Sequence, residues 1–244
     1  MTTLLAPAKL TVSLRVVGVR PDGYHLLDAE MVSLDLADEL TFGDGDGLTV
    51  EGPGGPGDRP PGVPADADNL VSRALVTVGR TAHVRLVKRI PAGGGLGGGS
   101  SDAAAVLRWA GVTDLGIAAK LGADVPFCLH GGRARVTGTG EVLTPLPYEA
   151  RTYTLVTPPF GCSTPAVYRA WDELGGPSAD GPNDLEPAAL RVEPRLARWR
   201  DELGDATGRT PVLAGSGSTW FVEGAFPGEG RVVARTVPAY QDGG

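Results

Sequence analysis

Residues 91–105 read PAGGGLGGGSSDAAA, and this stretch decides how the rest of the chain is interpreted. It holds six glycines within seven positions, followed by two serines, an aspartate and three alanines. Glycine lacks a Cβ atom, so such a loop can turn tightly and point several backbone N–H groups at one spot. Ser100, Ser101 and Asp102 are good helix N-caps, and AAAVLRW after them forms helix readily. The stretch therefore predicts a loop that leads into a helix N-terminus, an arrangement that binds phosphate.

Glycine-rich loops of three other kinds have different sequence patterns. This stretch is not a Walker A loop, because no Gly-Lys-Ser/Thr follows the glycines. It lacks the spacing and the downstream acidic residue of the dinucleotide fingerprint. A flexible glycine-rich linker is the remaining alternative. Apolar order resumes at once on both sides, in HVRLVKRI before the loop and in AVLRWAG after it, which favours a structured phosphate cradle.

Composition and charge narrow the class of protein. The chain has 244 residues, of which 41% are hydrophobic, and a formal net charge of −7. That length fits one large domain or two small ones, and the negative charge argues against nucleic acid as the main partner. No apolar run approaches the roughly 18 residues of a membrane span, and MTTLLAPAKL lacks a signal-peptide pattern. Cys128 and Cys162 have neither metal-ligand nor redox spacing, so we expect a cytoplasmic protein with reduced thiols.

The spacing of apolar residues predicts a mixture of strands and helices. From Lys9 onward apolar and polar residues alternate, which indicates a half-buried strand with Lys9 and Thr11 on one side. RPDGYH is a turn, and HLLDAEMVSLDLADELTF returns antiparallel as one or two strands. Further strands are predicted over LTVEG, 82–90, RARVTGTGEVLTPL, 152–157, PVLAGSGSTWFVEG and RVVARTVPAY. Helices are predicted after Asn69, after the glycine loop to near Gly111, over 113–122, from Ser163 or Thr164, and within LEPAALRVEPRLARWRDEL.

Two charged residues are candidates for chemistry at a bound phosphate. Phosphoryl transfer needs positioning, charge neutralisation and a group that takes the acceptor's proton. Asp124 lies in Gly-Ala-Asp-Val-Pro, a constrained turn with apolar neighbours, where partial desolvation could raise its basicity. Its alternative role is a helix N-cap. Lys9 could steady that aspartate and the charge that develops on oxygen, although most lysines are surface residues.

Four segments together resemble the GHMP small-molecule kinases. They are PAKLTVSLRVVGVRPDGYHLL, IPAGGGLGGGSSDAAAVL, LGADVPFCLHGGRARVTGTGE and LAGSGSTWF. PPFGCSTPAVYRAWD and GPNDLEPAAL match as well, and the resemblance runs from Ala6 to about Phe221. RPDGYH and GADVPF, in this order around the glycine loop, are similar to the branch whose acceptor carries cytidine diphosphate. They distinguish it from the homoserine, mevalonate and galactose kinases.

The resemblance implies an α+β protein with the two-domain GHMP kinase fold. Residues 1–149 would form the ATP-binding domain, a mixed sheet with helices, and residues 150–244 a ferredoxin-like α/β-plait domain for the substrate. ATP and Mg²⁺ are the implied cofactors, with Asp124 as general base and Lys9 as its electrostatic partner. Ser101 is a candidate magnesium ligand, but as an N-cap it would be occupied, so no metal ligand is assigned. The residues expected to hold ATP are Pro91, Ala92, Gly93, Gly94, Gly95, Leu96, Gly97, Gly98, Gly99, Ser100 and Ser101.

The same resemblance implies a site for the cytidine group. Tyr24 and a backbone group of His25 would contact the cytosine, and Tyr168 would stack on its other side; helix packing is the alternative role of Tyr168. The turn at residues 215–219 should close over the phosphates or the acceptor hydroxyl, or is a simple tight turn. Thr11 stands where the family usually has Asn, so its contact with the acceptor lacks an amide's reach. The implied substrate residues are Thr11, Tyr24, His25, Pro165, Tyr168, Gly215, Ser216 and Gly217.

Two segments are shorter than the family pattern, and two other functions stay open. The stretch between the glycine loop and Asp124 is short, and so is the stretch at residues 224–230, where a helix is expected. The alternatives are a GHMP kinase for another small alcohol and a non-catalytic nucleotide-binding regulator. The presence of both Lys9 and Asp124 counts against the regulator. The expected partners are ATP and a small cytidine diphosphate substrate, with no nucleic acid and no membrane, in a monomer or weak homodimer.

Overall fold

The computed structural model describes residues 1–58 and 60–240, and its two sheets with seven helices in that part of the chain confirm the α+β class. The first sheet is built around a hairpin of two long strands, β1 (Thr2–Val19) and β2 (His25–Gly43). RPDGYH forms the turn between them, as predicted. Gly23 has a φ of 86° there, and its N–H donates to the Arg20 carbonyl over 2.9 Å.

The long strand β2 organises the first sheet. It pairs antiparallel with β1 along one edge. Its other edge pairs near one end with β4 and near the other with β5. A parallel strand, β3, extends the sheet beyond β4, and an antiparallel strand, β6, extends it beyond β5. The bounds of these strands are β3 (Gly47–Glu51), β4 (His83–Val87), β5 (Arg133–Gly138) and β6 (Val142–Pro145).

Four helices accompany this sheet: α1 (Leu70–Thr77), α2 (Gly98–Trp109), α3 (Leu115–Leu121) and α4 (Val125–His130). The alanine-rich middle of α2, residues 103–107, is fully buried. Small side chains allow the backbone of a helix to approach its neighbours closely. The helix that follows the glycine loop therefore lies in the core of the first sheet, packed with Leu40, Leu86 and Phe127.

The start of α2 corrects the predicted capping. The helix begins at Gly98, with Gly97 as N-cap in the left-handed region at φ 67°. Ser100, Ser101 and Asp102 therefore lie inside the first turns and are not caps. The Ser101 hydroxyl instead donates to the Pro7 carbonyl over 2.6 Å. No side chain caps α2, so the glycine loop alone sets the direction of the first N–H groups of the helix.

The middle of β1 also differs from the prediction. Alternation indicated a half-buried strand, but residues 8–11 are all buried, and the ladder shifts between Pro7 and Lys9 and again between Thr11 and Ser13. On one side of this region Leu10 packs with the second sheet, and on the other the Lys9 side chain is covered by the glycine loop and Asp124, which alternation within one strand cannot predict. Lys9 and Thr11 are therefore both buried, at 6% and 1% exposure.

The second sheet has the strand order β10-β7-β9-β8, with antiparallel neighbours throughout. This is the order of a ferredoxin-like plait. Three helices lie between β7 and β8, whereas residues 224–230, between β9 and β10, contain no helix, in keeping with their short length. The bounds are β7 (Thr152–Val156), α5 (Thr164–Glu173), α6 (Glu186–Val192), α7 (Leu196–Thr207), β8 (Val212–Leu213), β9 (Trp220–Glu223) and β10 (Arg231–Arg235).

The two sheets meet in a buried apolar cluster. Leu10 and Leu34 from the first sheet pack with Leu155 and Phe221 from the second, and Leu96 of the glycine loop lies among them. The glycine loop is thus fixed between the two halves of the protein. We retain residues 1–149 and 150–244 as proposed domains, because β6 ends at Pro145 and β7 begins at Thr152; residues 241–244 lie outside the described part. Among residues 1–58 and 60–240, none of the helices combines the length and the apolar character of a membrane span.

Candidate active site

The glycine loop adopts a conformation that requires glycine. Gly93, Gly95 and Gly97 all have positive φ, between 67° and 77°. A Cβ atom on Gly95 would lie 2.6 Å from the Ala214 carbonyl oxygen. Side chains at such positions would be both strained and in collision with backbone. The loop therefore packs against residues 214–219, and the Thr219 N–H donates to the Gly94 carbonyl over 3.1 Å.

A cavity of about 270 Å³ lies along this loop. Nine of the eleven predicted ATP residues, 91–99, line it, together with the N-terminal end of α1 and residues 62–64. Ser100 lines a different cavity. Ser101 is fully buried with its hydroxyl donated to Pro7, so it packs beneath the loop. In the described part of the chain, no group of three or more His, Cys, Asp or Glu side chains is placed to hold a metal ion.

A buried charged cluster that the sequence did not predict contributes Lys88 and Asp102 to the lining of this cavity. The Lys88 ammonium contacts the carboxylates of Asp38 and Asp102, the latter over 2.7 Å. Burial raises the pKa of Asp102 to about 7; the nearby charge of Asp38 adds to the rise and Lys88 opposes it. The Oδ1 atom of Asp102 is buried without a hydrogen-bond partner. The cluster ties the first turns of α2 to the end of β4. Only the scarcity of lysine, three in the chain, was a signal for it.

A larger cavity of about 690 Å³ lies on the other side of the glycine loop. Gly95 and Gly97 line both cavities, so the two meet at the loop. Gly217 does not line the larger cavity, because its N–H is bonded to the Ala214 carbonyl inside the turn. The sequence-predicted residues that do line it are Lys9, Thr11, Tyr24, His25, Asp124, Pro165, Tyr168, Gly215 and Ser216.

Lys9 and Asp124 form an ion pair where the cavities meet. The Lys9 Nζ lies 3.1 Å from the Asp124 Oδ2, with the lysine side chain 7% exposed and the aspartate side chain 31% exposed. The ammonium also donates to the Thr11 hydroxyl over 3.2 Å, and the backbone N–H of Lys9 donates to Leu96 of the loop over 3.0 Å. A Cβ atom on Gly97 would lie 2.6 Å from the Lys9 Cγ. The loop therefore packs directly against the aliphatic part of the Lys9 side chain.

Asp124 stands at the N-cap position of α4 but makes no capping hydrogen bond. The alternative role as N-cap is therefore confirmed for the backbone position of Asp124 but not for its side chain, which accepts from no helix N–H group. Its carboxylate is directed to Lys9 instead. The α4 backbone that follows contains Pro126, which fixes the turn that presents this side chain to the cavity.

The wall of the larger cavity is aromatic. The His25 and Tyr168 rings are in contact, with centroids 4.7 Å apart and a tilt of 35°, and the Trp171 ring meets His25 edge-on at 5.5 Å. No base fits between His25 and Tyr168. Tyr24 is 63% exposed and lines the cavity, with the Arg20 guanidinium over its ring at 5.9 Å from the centroid, which leaves one aromatic face for stacking. Burial raises the pKa of the Tyr168 hydroxyl, and the Asp124 charge adds to the rise.

Sequence reasoning missed several residues of this cavity, among them an acidic one. The Asp172 carboxylate lies 2.8 Å from the Nε2 of His25. Asp172 follows Tyr168 by four positions, which places both on one face of α5, and this spacing was a readable signal. Thr139 and Gly140, from the turn between β5 and β6, also line the cavity, as do Thr164 and Arg169.

Comparison with known proteins places this geometry in a family. The model of the GHMP kinases N terminal domain matches residues 69–132. A 4-diphosphocytidyl-2-C-methyl-D-erythritol kinase of Paracoccus denitrificans is 40% identical, over 88% of this chain and 84% of its own length. One of Cereibacter sphaeroides is 37% identical, over 100% of this chain and 96% of its own.

A solved structure gives the same result in three dimensions. The crystal structure of a 4-(cytidine 5'-diphospho)-2C-methyl-D-erythritol kinase superposes with a TM-score of 0.72 at 32% identity. The superposition covers 96% of this chain and 98% of that one. Nearly the whole length of each protein is therefore matched. The chain belongs to the family of 4-diphosphocytidyl-2-C-methyl-D-erythritol kinases within the GHMP kinases.

Proposed function

We propose that the protein transfers the terminal phosphoryl group of ATP to the 2-hydroxyl of 4-diphosphocytidyl-2-C-methyl-D-erythritol, a step of the non-mevalonate route to isoprenoid precursors. ADP and the 2-phosphate are the products. The observation that carries this proposal is the Lys9–Asp124 ion pair, 3.1 Å long, at the junction of two cavities that share the loop residues Gly95 and Gly97. ATP and its acceptor can then meet beside this pair.

The smaller cavity is the proposed ATP site. Its loop and the N-terminal end of α2 present backbone N–H groups, and a helix N-terminus favours a phosphate through its dipole. Mg²⁺, which the family implies, fits as a companion of ATP, because it prefers phosphate oxygens and water with few protein ligands. When bound, it would neutralise charge on the phosphates. The contribution of the chain would be the loop backbone, which positions the phosphate oxygens that hold the ion.

Asp124 is the proposed general base. It would accept the proton of the acceptor hydroxyl as that oxygen forms its bond to the terminal phosphorus and the bond from phosphorus to the ADP oxygen breaks. One carboxylate oxygen is paired with Lys9, and the partial exposure of the side chain leaves the group accessible from the cavity. Lys9, anchored by Thr11 and by Leu96, is placed to offset the negative charge that develops on oxygen.

The larger cavity is the proposed acceptor site. Tyr24 offers a free aromatic face for the cytosine, and Tyr168 supplies the facing wall together with Pro165. The backbone of His25 remains the proposed reader of the base. Gly215 lies next to the catalytic pair, since a Cβ atom built there would be 3.7 Å from the Lys9 Nζ. Ser216 completes this side, and its hydroxyl is hydrogen-bonded to that of Thr164 over 2.8 Å.

A coupled ADP-release assay tests the proposal. The purified protein is given ATP and Mg²⁺ with one acceptor at a time: the cytidine alcohol, homoserine or mevalonate. We expect ADP release only with the cytidine alcohol. Turnover with another alcohol would assign a different GHMP kinase, and ATP binding without phosphorylation of any acceptor would favour the regulator. Such a metabolic enzyme is proposed to work in the cytoplasm, as a monomer or weak homodimer.

The Asp124→Asn variant tests the mechanism. We expect its turnover to fall by about a hundredfold to ten-thousandfold, the usual contribution of a general base. ATP binding should change little, because the loop is untouched. Asp201→Asn removes an exposed carboxylate on α7 and is the matched control. Near-normal turnover in Asp124→Asn would remove this residue as the base.

A further inference from the structure

We propose that Asp172 is a positioning residue for the acceptor. Its carboxylate holds the imidazole of His25, and through it the turn that carries Tyr24, at a fixed place opposite α5. The inference rests on the proposed function, because it assigns the cytidine group of the acceptor to this cavity. Asp172 would touch no reacting atom. It would act through His25 on how well the cavity is shaped for its ligand.

The geometry of the pair supports this role. His25 is the first residue of β2, directly after the turn of the first sheet, whereas Asp172 lies on α5 of the second half of the chain. Their side chains meet across the cavity with 2.8 Å between Nε2 and Oδ1. The imidazole is 11% exposed and is held on two further sides by Tyr168 and Trp171. The contact therefore joins two walls that come from different sheets.

The chemistry of the pair fixes the ring. An ionised carboxylate can only accept a hydrogen bond, so the Nε2 of His25 carries a hydrogen that it donates to Asp172. A ring held by one charge-assisted hydrogen bond and two aromatic contacts has a defined orientation. Loss of the carboxylate would leave only the ring contacts, and His25 could then rotate or withdraw from α5.

The position of Tyr24 depends on the same bridge. Tyr24 precedes His25 and is 63% exposed, and the Arg20 guanidinium that lies over its ring, 5.9 Å from the centroid, belongs to the same turn. The Tyr24 carbonyl accepts from the Arg20 N–H over 2.8 Å, which is a contact inside the turn and not with α5. The link from this turn to α5 runs through the neighbouring His25. The spacing of Tyr24 and Tyr168, the two proposed cytosine contacts, is therefore set in part by Asp172.

The neighbouring acidic residue on α5 has a different environment. Glu173 pairs with Arg191 over 3.5 Å, with both side chains more than half exposed. It does not line the larger cavity, whereas Asp172 does. Such a surface pair contributes little to stability. Glu173→Ala is therefore a matched control, because this substitution removes the same charge from the same helix without altering a contact of His25.

The test compares Asp172→Ala, Asp172→Asn and Glu173→Ala in steady-state kinetics and in calorimetric binding of cytidine 5'-diphosphate. We expect Asp172→Ala to raise KM for the cytidine alcohol about fivefold to tenfold, the net size of one ordinary hydrogen bond, because the Asp172 side chain is half exposed. The Asn variant should show a smaller rise, because its amide oxygen still accepts from Nε2. KM for ATP should stay within about twofold of wild type, since that cavity is not altered. Glu173→Ala should match wild type.

Each other outcome decides the inference. Equal rises in both KM values, an unchanged affinity for cytidine 5'-diphosphate, or the same loss in Glu173→Ala would overturn it. In a His25→Gln background, a further loss from Asp172→Ala would also contradict it, because the two residues are proposed to act as one unit. If binding of cytidine 5'-diphosphate depends on Asp172 but the wild type phosphorylates no acceptor, the kinase proposal is refuted and the role of Asp172 is not. A wild type without such binding would overturn both.

Discussion

Replacing Asp102 by Asn should change how the stability of the protein depends on pH. The carboxyl is buried with Asp38 and a single ammonium, that of Lys88, so two acidic groups share one positive charge. Burial raises its pKa from the ordinary 3.8 to about 7. Between these two values the folded protein holds a proton on Asp102 that the unfolded chain has released. Stability from this group is fully present below about pH 4 and is lost as pH rises to about 7.

The size of the effect follows from the two pKa values. Each pH unit between them is worth about 1.4 kcal/mol, so the carboxyl lowers the free energy of unfolding by at most about 4 kcal/mol above pH 7. Asn cannot ionise, and its Oδ1 can still accept from Lys88. Its amide nitrogen would lack a partner, as Oδ1 of Asp102 does now. Burying that unpaired nitrogen lowers the free energy of unfolding by about 1–3 kcal/mol at every pH. The prediction therefore concerns how the free energy of unfolding changes with pH, and not its absolute value.

Urea unfolding followed by tryptophan fluorescence at pH values from 4 to 8 measures this slope. Relative to Asp102→Asn, the wild type should lose about 2–4 kcal/mol between pH 4 and pH 7 and then level off. Asp201→Asn, which removes an exposed carboxyl, should run parallel to wild type. If the Asp102→Asn and wild-type curves are also parallel over this range, the carboxyl is ionised throughout and the reasoning about its burial is wrong.

Two further substitutions test the contact between the glycine loop and Lys9. Gly97→Ala places a Cβ atom against the Lys9 Cγ and should lower kcat by about tenfold or more. Gly230 has a similar φ of 69° and open space around it, so Gly230→Ala should carry the backbone strain without the loss in kcat. Equal kinetics in both variants would contradict the contact. Thr11→Val removes the hydroxyl that accepts a hydrogen bond from Lys9 and should lower kcat about threefold to tenfold. Thr11→Ser keeps a hydroxyl and should have a kcat close to that of wild type. Equal losses in both variants would show that the hydroxyl does not support Lys9.

Much of the fold and part of the site could be read from local patterns in the sequence. The glycine tract, the RPDGYH turn and most strand and helix positions are confirmed, because turns and periodicity reflect backbone preferences over a few residues. Helix α4 (Val125–His130) was not among the predicted helices. The place of Asp124 in a constrained turn before Pro126 was nevertheless readable. Resemblance to a family of kinases then joined these segments into a two-domain protein, and the relatives confirm that membership.

Contacts between distant segments were not readable in this way. Alternation predicted one buried face for β1, but the region around Lys9 is buried on both sides, by the second sheet on one side and by the glycine loop and Asp124 on the other. Ser101 and Asp102 are residue types that commonly cap helices. In the structure, however, the Ser101 hydroxyl donates to the Pro7 carbonyl and the Asp102 carboxylate pairs with Lys88.

The sequence by itself determined the phosphate loop, the local elements and the residue types available for chemistry. Only the tertiary structure decided that Lys9 meets Asp124 where two cavities join, and that His25 meets Asp172 across 147 positions of chain. The physical reason is that periodicity and turn chemistry act over neighbouring residues. Burial and charge pairing, in contrast, depend on which surfaces come together when the two sheets pack.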